Sequence, residues 1–331
     1  MNKTMKKILL GTSLAAAGIT VISALSYAVT DFMVDVALDA KKQKRVSSKA
    51  IKAITGSEKL SDFLEYAKAQ GEKLAQMHLE TVAITAEDGT KLIGHLYRHP
   101  DAKRTILAMH GWRSGWARDF GMVADFWHQN GCNVLYAEQR AQGESGGEYM
   151  GFGMLERYDC LDWVHYLCRN GFDDKPMYLA GVSMGGATVL MSAAFDLPPC
   201  VKGIMADCAF TSAQDIWKHV ARNNIRMAYT GLHALIASDI CKRKIQLGSA
   251  DFTTIEAMKE SRVPVLFVHG TDDCFVPVEM TYENYKACSA EKRLFVVPGA
   301  DHGMSYFVDP EGYRAAMLNF FKDYDAPIAK I

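Results

Sequence analysis

The chain is 331 residues long, 49% hydrophobic and 23% charged, which excludes a disordered or fibrous protein. Lys and Arg total 37 against 38 Asp and Glu, a formal net charge of −1, so the balance gives no support to wholesale nucleic-acid binding. Eight cysteines form no C-x-x-C pair and no zinc-finger spacing, and they read as reduced structural thiols.

Lys3, Lys6 and Lys7 precede an uncharged run from Ile8 to Val29. As a helix this run is long enough to cross a bilayer, so residues 1–30 read as a membrane anchor. Ser26-Tyr27-Ala28 places small residues where a signal peptide is cleaved, which leaves secretion open, and a buried helix is the third reading. Lys and Arg nearly balance on the two flanks, so the side of the membrane stays undetermined. Residues 31–78 read as a basic tether followed by a bridging helix. Thr55 and Glu58 fit a capping box, and Leu60, Phe63, Leu64, Ala67, Leu74 and Met77 follow at helical spacing.

From residue 79 to 331 the pattern is that of one α/β domain. Strand-like runs are Thr81–Thr85, Lys91–Tyr97, Thr105–Met109, Asn133–Ala137, Met177–Ala180, Val201–Ala206, Val265–Val268 and Leu294–Val297. The first two are joined by Glu87-Asp88-Gly89, a hairpin signal. The later ones are apolar and separated by helical stretches such as Phe120–Gln129, Leu155–Cys168 and Gly185–Phe195, which implies a parallel sheet covered on both faces. Nearly sixty residues separate the strands ending near Ala206 and starting near Val265, more than a crossover needs. The stretch 211–258 reads as a helical cap.

The strongest chemical signal is Gly181-Val182-Ser183-Met184-Gly185-Gly186, between an apolar strand and a helix. A serine on so sharp a turn exposes its hydroxyl, and the glycines avoid collisions in the bend. The Met184 N–H, at the helix start, would face a developing oxyanion. A second oxyanion donor is expected after the strand Thr105–Met109, and the Trp112 N–H is the candidate; His110 beside it reads as structural. The serine needs a histidine base and an acid behind it. His302, in Asp301-His302-Gly303 after the last strand, has the required placement. Asp273, Asp272 and Asp207 are the candidate acids, each after an apolar strand, and Asp301 reads as a turn residue.

These pieces resemble the α/β-hydrolase superfamily over about residues 79–324: the His110-Gly111-Trp112 loop, Arg140–Ser145, the Ser183 elbow, His269–Pro277 and Gly299–Gly303. The resemblance implies a mostly parallel eight-stranded sheet with helices on both faces and a cap. Its H-G-x-x-D-x-x-V-P pattern favours Asp273 as the acid. Within the superfamily the chain is similar to membrane-anchored bacterial hydrolases and to the Bem46-like and feruloyl/cinnamoyl esterase-like groups. Ala141 stands where the family's loop usually has glycine.

The implied activity is ester hydrolysis through an acyl-enzyme on Ser183, with no metal or organic cofactor. A serine peptidase or amidase with the same triad is the alternative, and a non-catalytic membrane-tethered binding module is the alternative of another class. Expected partners are a small or lipid-like ester and, through the N-terminal segment, a membrane. Phe210, Trp217, Phe275 and Met304 lie near the catalytic loops and are candidates for an acyl pocket set by the cap. Lys218, Arg222 and Arg226, four apart, would share one helix face and could lean on anionic lipid.

Overall fold

The computed structural model describes residues 23–41 and 60–325. Helix α1 spans 23–38 and α2 spans Leu60–Ala75. The body follows as β1 (Glu80–Thr85), β2 (Lys91–Tyr97), β3 (Arg104–Met109), α3 (Trp116–Gln129), β4 (Cys132–Ala137), α4 (Glu156–Arg169), β5 (Met177–Val182), α5 (Met184–Ser192) and β6 (Val201–Asp207). The cap holds α6 (Ala213–His219), a π-helical turn (Val220–Asn224), α7 (Gly231–Ile245) and α8 (Thr254–Glu260). The chain closes with β7 (Val265–Gly270), α9 (Val278–Ala287), β8 (Lys292–Val297), α10 (Ser305–Val308) and α11 (Pro310–Tyr324).

The eight strands form one sheet in the order β1-β2-β4-β3-β5-β6-β7-β8. β2 pairs antiparallel with β1 and β4, and every later pairing is parallel. β3 and β4 are buried at every residue, as strands covered on both faces must be. One face packs Trp163, Val164, Val189 and Met258 from α4, α5 and α8. The other packs Phe120 and Trp127 of α3 with Phe320 and Phe321 of α11. This is the α/β-hydrolase architecture, and the parallel strands deliver their C-terminal ends, with the loops that carry the chemistry, to one edge.

α2 lies across α3 where glycine meets glycine. A Cβ on Gly121 would stand 2.5 Å from the Gly71 nitrogen, so the two backbones touch only because neither residue has a side chain. The capping box read at Thr55 lies outside the described residues.

The stretch read as a basic tether is, over 31–41, packed structure. Val34 and Leu38 are buried against Met184, Met191, Phe210 and the cap residues Ile240 and Cys241. Two such side chains contribute about 3–6 kcal/mol of docking. Asp39 forms an isolated antiparallel bridge with Tyr149, and Asp35 pairs with Lys244 at 2.7 Å. Asp35 and Asp39, inside the stretch read as a tether, thus contact the body. Among the described residues no helix is long and apolar enough to cross a membrane. Most of the uncharged run Ile8–Val29 lies outside them.

The cap is helical as expected, but Lys218, Arg222 and Arg226 do not share a helix face. α6 ends at His219, the π turn follows, and Arg226 has φ +58°. Arg222 folds back to donate to the Tyr229 carbonyl at 2.5 and 3.0 Å.

Candidate active site

Ser183 sits between β5 and α5 with φ +56° and ψ −116°, a conformation a non-glycine residue holds only under constraint. Its neighbours explain the glycines. A Cβ on Gly181 would lie 2.1 Å from the Gly185 oxygen, and one on Gly185 would lie 1.8 Å from the Met109 oxygen. The Ser183 N–H donates to the Asp207 carbonyl at 2.8 Å, pinning the bend to β6.

The Ser183 hydroxyl lies 3.0 Å from His302 Nε2, and His302 Nδ1 lies 2.8 Å from Asp273 Oδ2. Asp273 is fixed in turn by the N–H groups of Phe275 and Val276, which donate to Oδ1 at 2.9 and 2.7 Å. His269 adds a further hold: its Nε2 lies 3.1 Å from Asp273 Oδ2 and 2.8 Å from the Val276 carbonyl, while Nδ1 accepts from Thr281 at 2.7 Å. Burial alone would push the Asp273 carboxyl up, but the facing His302 and His269 and their hydrogen bonds hold it well below the usual carboxylate range. Burial likewise works against a charged His302, yet the Asp273 carboxylate raises its pKa well above 6.5.

The other candidate acids stand elsewhere. Asp207 accepts from Ser305 at 3.2 Å, and burial raises its pKa. Asp272 is exposed and accepts from Thr271. Asp301 accepts from the N–H groups of Cys274 and His302, as a turn residue does. His110 is buried, with Nδ1 on the Gly111 carbonyl and Nε2 accepting from the Gln139 N–H, and burial lowers its pKa. Among the described residues one group could offer three metal ligands: Cys208, Asp273 and His302, within 4.8 Å of one another. Asp273 and His302 are hydrogen-bonded to each other there, and burial pushes the Cys208 thiol up to about 11, so it is a poor thiolate ligand.

Two segments stand beside Ser183 where the oxyanion donors are expected. Met184 opens α5, where first-turn N–H groups have no partner within the helix. Across from it, the Gly111 N–H is committed to Asp119 Oδ2 at 2.7 Å, and the next N–H along the loop is that of Trp112. A Cβ on Gly111 would lie 3.4 Å from the Ser183 Cβ, so the loop and the serine are in close approach.

A cavity of about 530 Å³ opens at Ser183. Its wall is chiefly apolar, with Phe63, Leu64 and Ala67 from α2 and Met122, Val123 and Trp127 from α3. Phe275 and Met304 line it as expected, and Phe275 stands edge-on to His302 at 5.1 Å. Phe210 and Trp217 do not. They pack with Phe152, at ring distances of 5.8 and 5.2 Å, in the core between cap and body. No cap residue from α6 to α8 lines the cavity, which runs instead beneath α2 and α3. The helical spacing of Phe63, Leu64 and Ala67 was visible in the sequence, but nothing there said which layer that apolar face covers.

Fold and site together define an α/β hydrolase of the serine-hydrolase type. The chain belongs to the prolyl oligopeptidase family, whose profile matches residues 118–325. A Bacillus subtilis (strain 168) protein, YqkD, is 26% identical over 250 residues, spanning 75% of this chain and 81% of its own. The Pyrococcus furiosus esterase Pf2001 superposes with a TM-score of 0.63 at 23% identity, over 77% of this chain and 94% of that one. Est1E of Butyrivibrio proteoclasticus, solved with ferulic acid bound, gives 0.58 at 19% identity, over 73% and 99%. These structural likenesses show the shared fold.

Proposed function

We propose that the protein cleaves carboxylic esters through an acyl-enzyme formed on Ser183. The observation that carries this reading is the relay from Ser183 through His302 to Asp273 at the mouth of an apolar cavity. His302 Nε2 takes the hydroxyl proton as Ser183 attacks the carbonyl, and returns it to the leaving alcohol. The Met184 and Trp112 N–H groups receive the oxyanion. Losing one such donor typically raises the barrier by roughly 3–4 kcal/mol. A water then repeats the sequence on the acyl-enzyme. These steps use no metal or organic cofactor.

Phe63, Leu64, Met122 and Val123 offer nothing to a peptide backbone's N–H and C=O groups but suit an aliphatic or aromatic acyl group. The family match supports the second reading, a serine peptidase or amidase with the same triad. Parallel assays of p-nitrophenyl esters of graded chain length and of peptide p-nitroanilides separate the two. A fluorophosphonate probe tests both against the non-catalytic binding module. Wild type should label, and Ser183→Ala should stay folded while losing labelling and hydrolysis together. Near-wild-type turnover in Ser183→Ala would remove the acyl-enzyme mechanism.

We also propose that the uncharged run ending at Val29 anchors the chain in a membrane as a single pass, with secretion after cleavage as the alternative. α1 supports this: it contains the last seven residues of that run and exposes Leu25, Tyr27 and Phe32.

A further inference from the structure

We propose that the C-terminal end of α1, with the residues to Asp39, is a working part of the active site: it positions the oxyanion loop. This rests on the acyl-enzyme reading above.

A helix leaves its last carbonyls without partners, and they carry partial negative charge. The oxyanion loop supplies the missing donors for α1. Trp112 Nε1 donates to the Ala37 carbonyl at 2.8 Å. Arg113 Nη2 donates to the Val36 carbonyl at 2.5 Å and to the Asp39 carbonyl at 2.9 Å. Met150 takes the Leu38 carbonyl at 2.8 Å. Thus the side chain of Trp112, the loop's proposed oxyanion donor, and the side chain next to it both cap this helix. Val36 lines the cavity itself, together with Trp112 and Arg113.

The attachment is not passive. Arg113 has φ +50°, a conformation that needs holding, and it follows Trp112 directly. Its Nε and Nη1 are buried with no hydrogen-bond partner among the described residues. Burial lowers its pKa, and among the described residues Asp39 is the negative charge that opposes this. The guanidinium is therefore held where it is by the carbonyls at the end of α1. Without them an uncompensated cation would seek water, and the Trp112–Arg113 backbone would move with it. On its other side the loop is fixed by Asp119, which accepts from the Gly111 N–H and from the Ser114 hydroxyl. Two clamps thus hold the oxyanion loop, and one comes from a segment outside the hydrolase sheet.

The test loosens this contact from both sides in the full-length chain. Arg113→Met removes the donors, and Leu38→Ala weakens docking of α1. Each variant should lower kcat and weaken an arylboronic transition-state analogue by the same factor, about tenfold or more, with KM within about twofold. The double variant should lose little beyond either single one, because both break one contact. Arg113→Lys, which keeps a cationic donor, should recover most of the loss. Folded variants with wild-type kcat and analogue affinity would overturn the proposal, as would losses that multiply in the double variant. If Leu38→Ala fails to fold, the comparison of Arg113→Met with Arg113→Lys still decides. Wild-type labelling by the fluorophosphonate probe keeps the two readings apart: no labelling sinks the hydrolase, whereas equal labelling rates for wild type and Arg113→Met sink only this inference.

Discussion

Asp273 and Asp272 are neighbours with different surroundings, and the difference makes a sharp prediction. Asp273 receives His302 Nδ1 and two backbone N–H groups, while Asp272 is exposed. Asp273→Asn should lower kcat by about 10⁴, because the amide favours the wrong histidine tautomer. Asp272→Asn should be mild, and steady-state kinetics on the two variants compare them directly. The Asp273–His302 pair fixes a pH response. His302 must be neutral to take the serine proton, and its folded pKa lies above 6.5. The acid limb of kcat/KM should therefore have its midpoint above the ordinary histidine value, and activity rises as pH passes through it. Stability runs the other way. A raised histidine contributes stability that is full below its unfolded pKa, about 6.5, and is lost as pH rises through the folded value. Profiles of kcat/KM and of urea midpoint against pH should slope oppositely in that window. A midpoint at or below the ordinary value would contradict the Asp273–His302 coupling.

Two backbone positions at the level of whole elements carry the next predictions. Ala141, where the family's loop usually has glycine, has φ +61° and is buried. The loop still closes, because Ser145 donates to the Glu138 carbonyl and accepts from the Ile93 N–H, and Arg140 makes a two-bond contact with Asp159. Ala141 thus carries roughly 1–2 kcal/mol of conformational cost, part of which glycine would return as unfolded-chain entropy. Ala141→Gly should raise Tm by about 2 °C, read by calorimetry. Gly121→Ala should do the reverse, since its Cβ would press on the α2 backbone, and about 2–3 kcal/mol of destabilisation is expected in denaturant titration. The strands, the Ser183 elbow and the pairing of His302 with an acid after β7 were legible because each rests on local pattern: an apolar run, a glycine spacing, a loop position. What was not legible depends on contacts distant in sequence. Asp35 and Asp39 look like linker residues until Lys244 and Tyr149 meet them. The regular spacing of Lys218, Arg222 and Arg226 hid a π turn, and the cavity's wall came from α2 rather than from the cap.

For the whole molecule, two forces of unequal size could hold the chain on a membrane. Six basic residues lie between Ile216 and Ser249. Of these, Arg243 pairs with Asp239 and donates to the Tyr27 hydroxyl, Lys244 pairs with Asp35, and Arg222 serves the Tyr229 carbonyl. Lys218, Arg226 and Lys242 have no carboxylate within ion-pair distance among the described residues. Three cations near anionic lipid contribute about 3 kcal/mol at low salt and far less when screened. An inserted apolar run of the length of Ile8–Val29 is bound in effect irreversibly. The full-length chain should therefore sediment with membranes, stay there through about 1 M salt and an alkaline carbonate wash, and leave only with detergent. Glu at 218, 226 and 242 should not change that behaviour. Release by salt would transfer the attachment to the cationic cap, and recovery of a soluble chain beginning after Ala28 would establish cleavage instead. Either outcome leaves Val34, Val36, Leu38 and the carbonyls that hold Trp112 and Arg113 in place. The segment that completes the site thus begins just beyond the segment that would be lost, and soluble material shortened in this way should hydrolyse esters at the full-length rate.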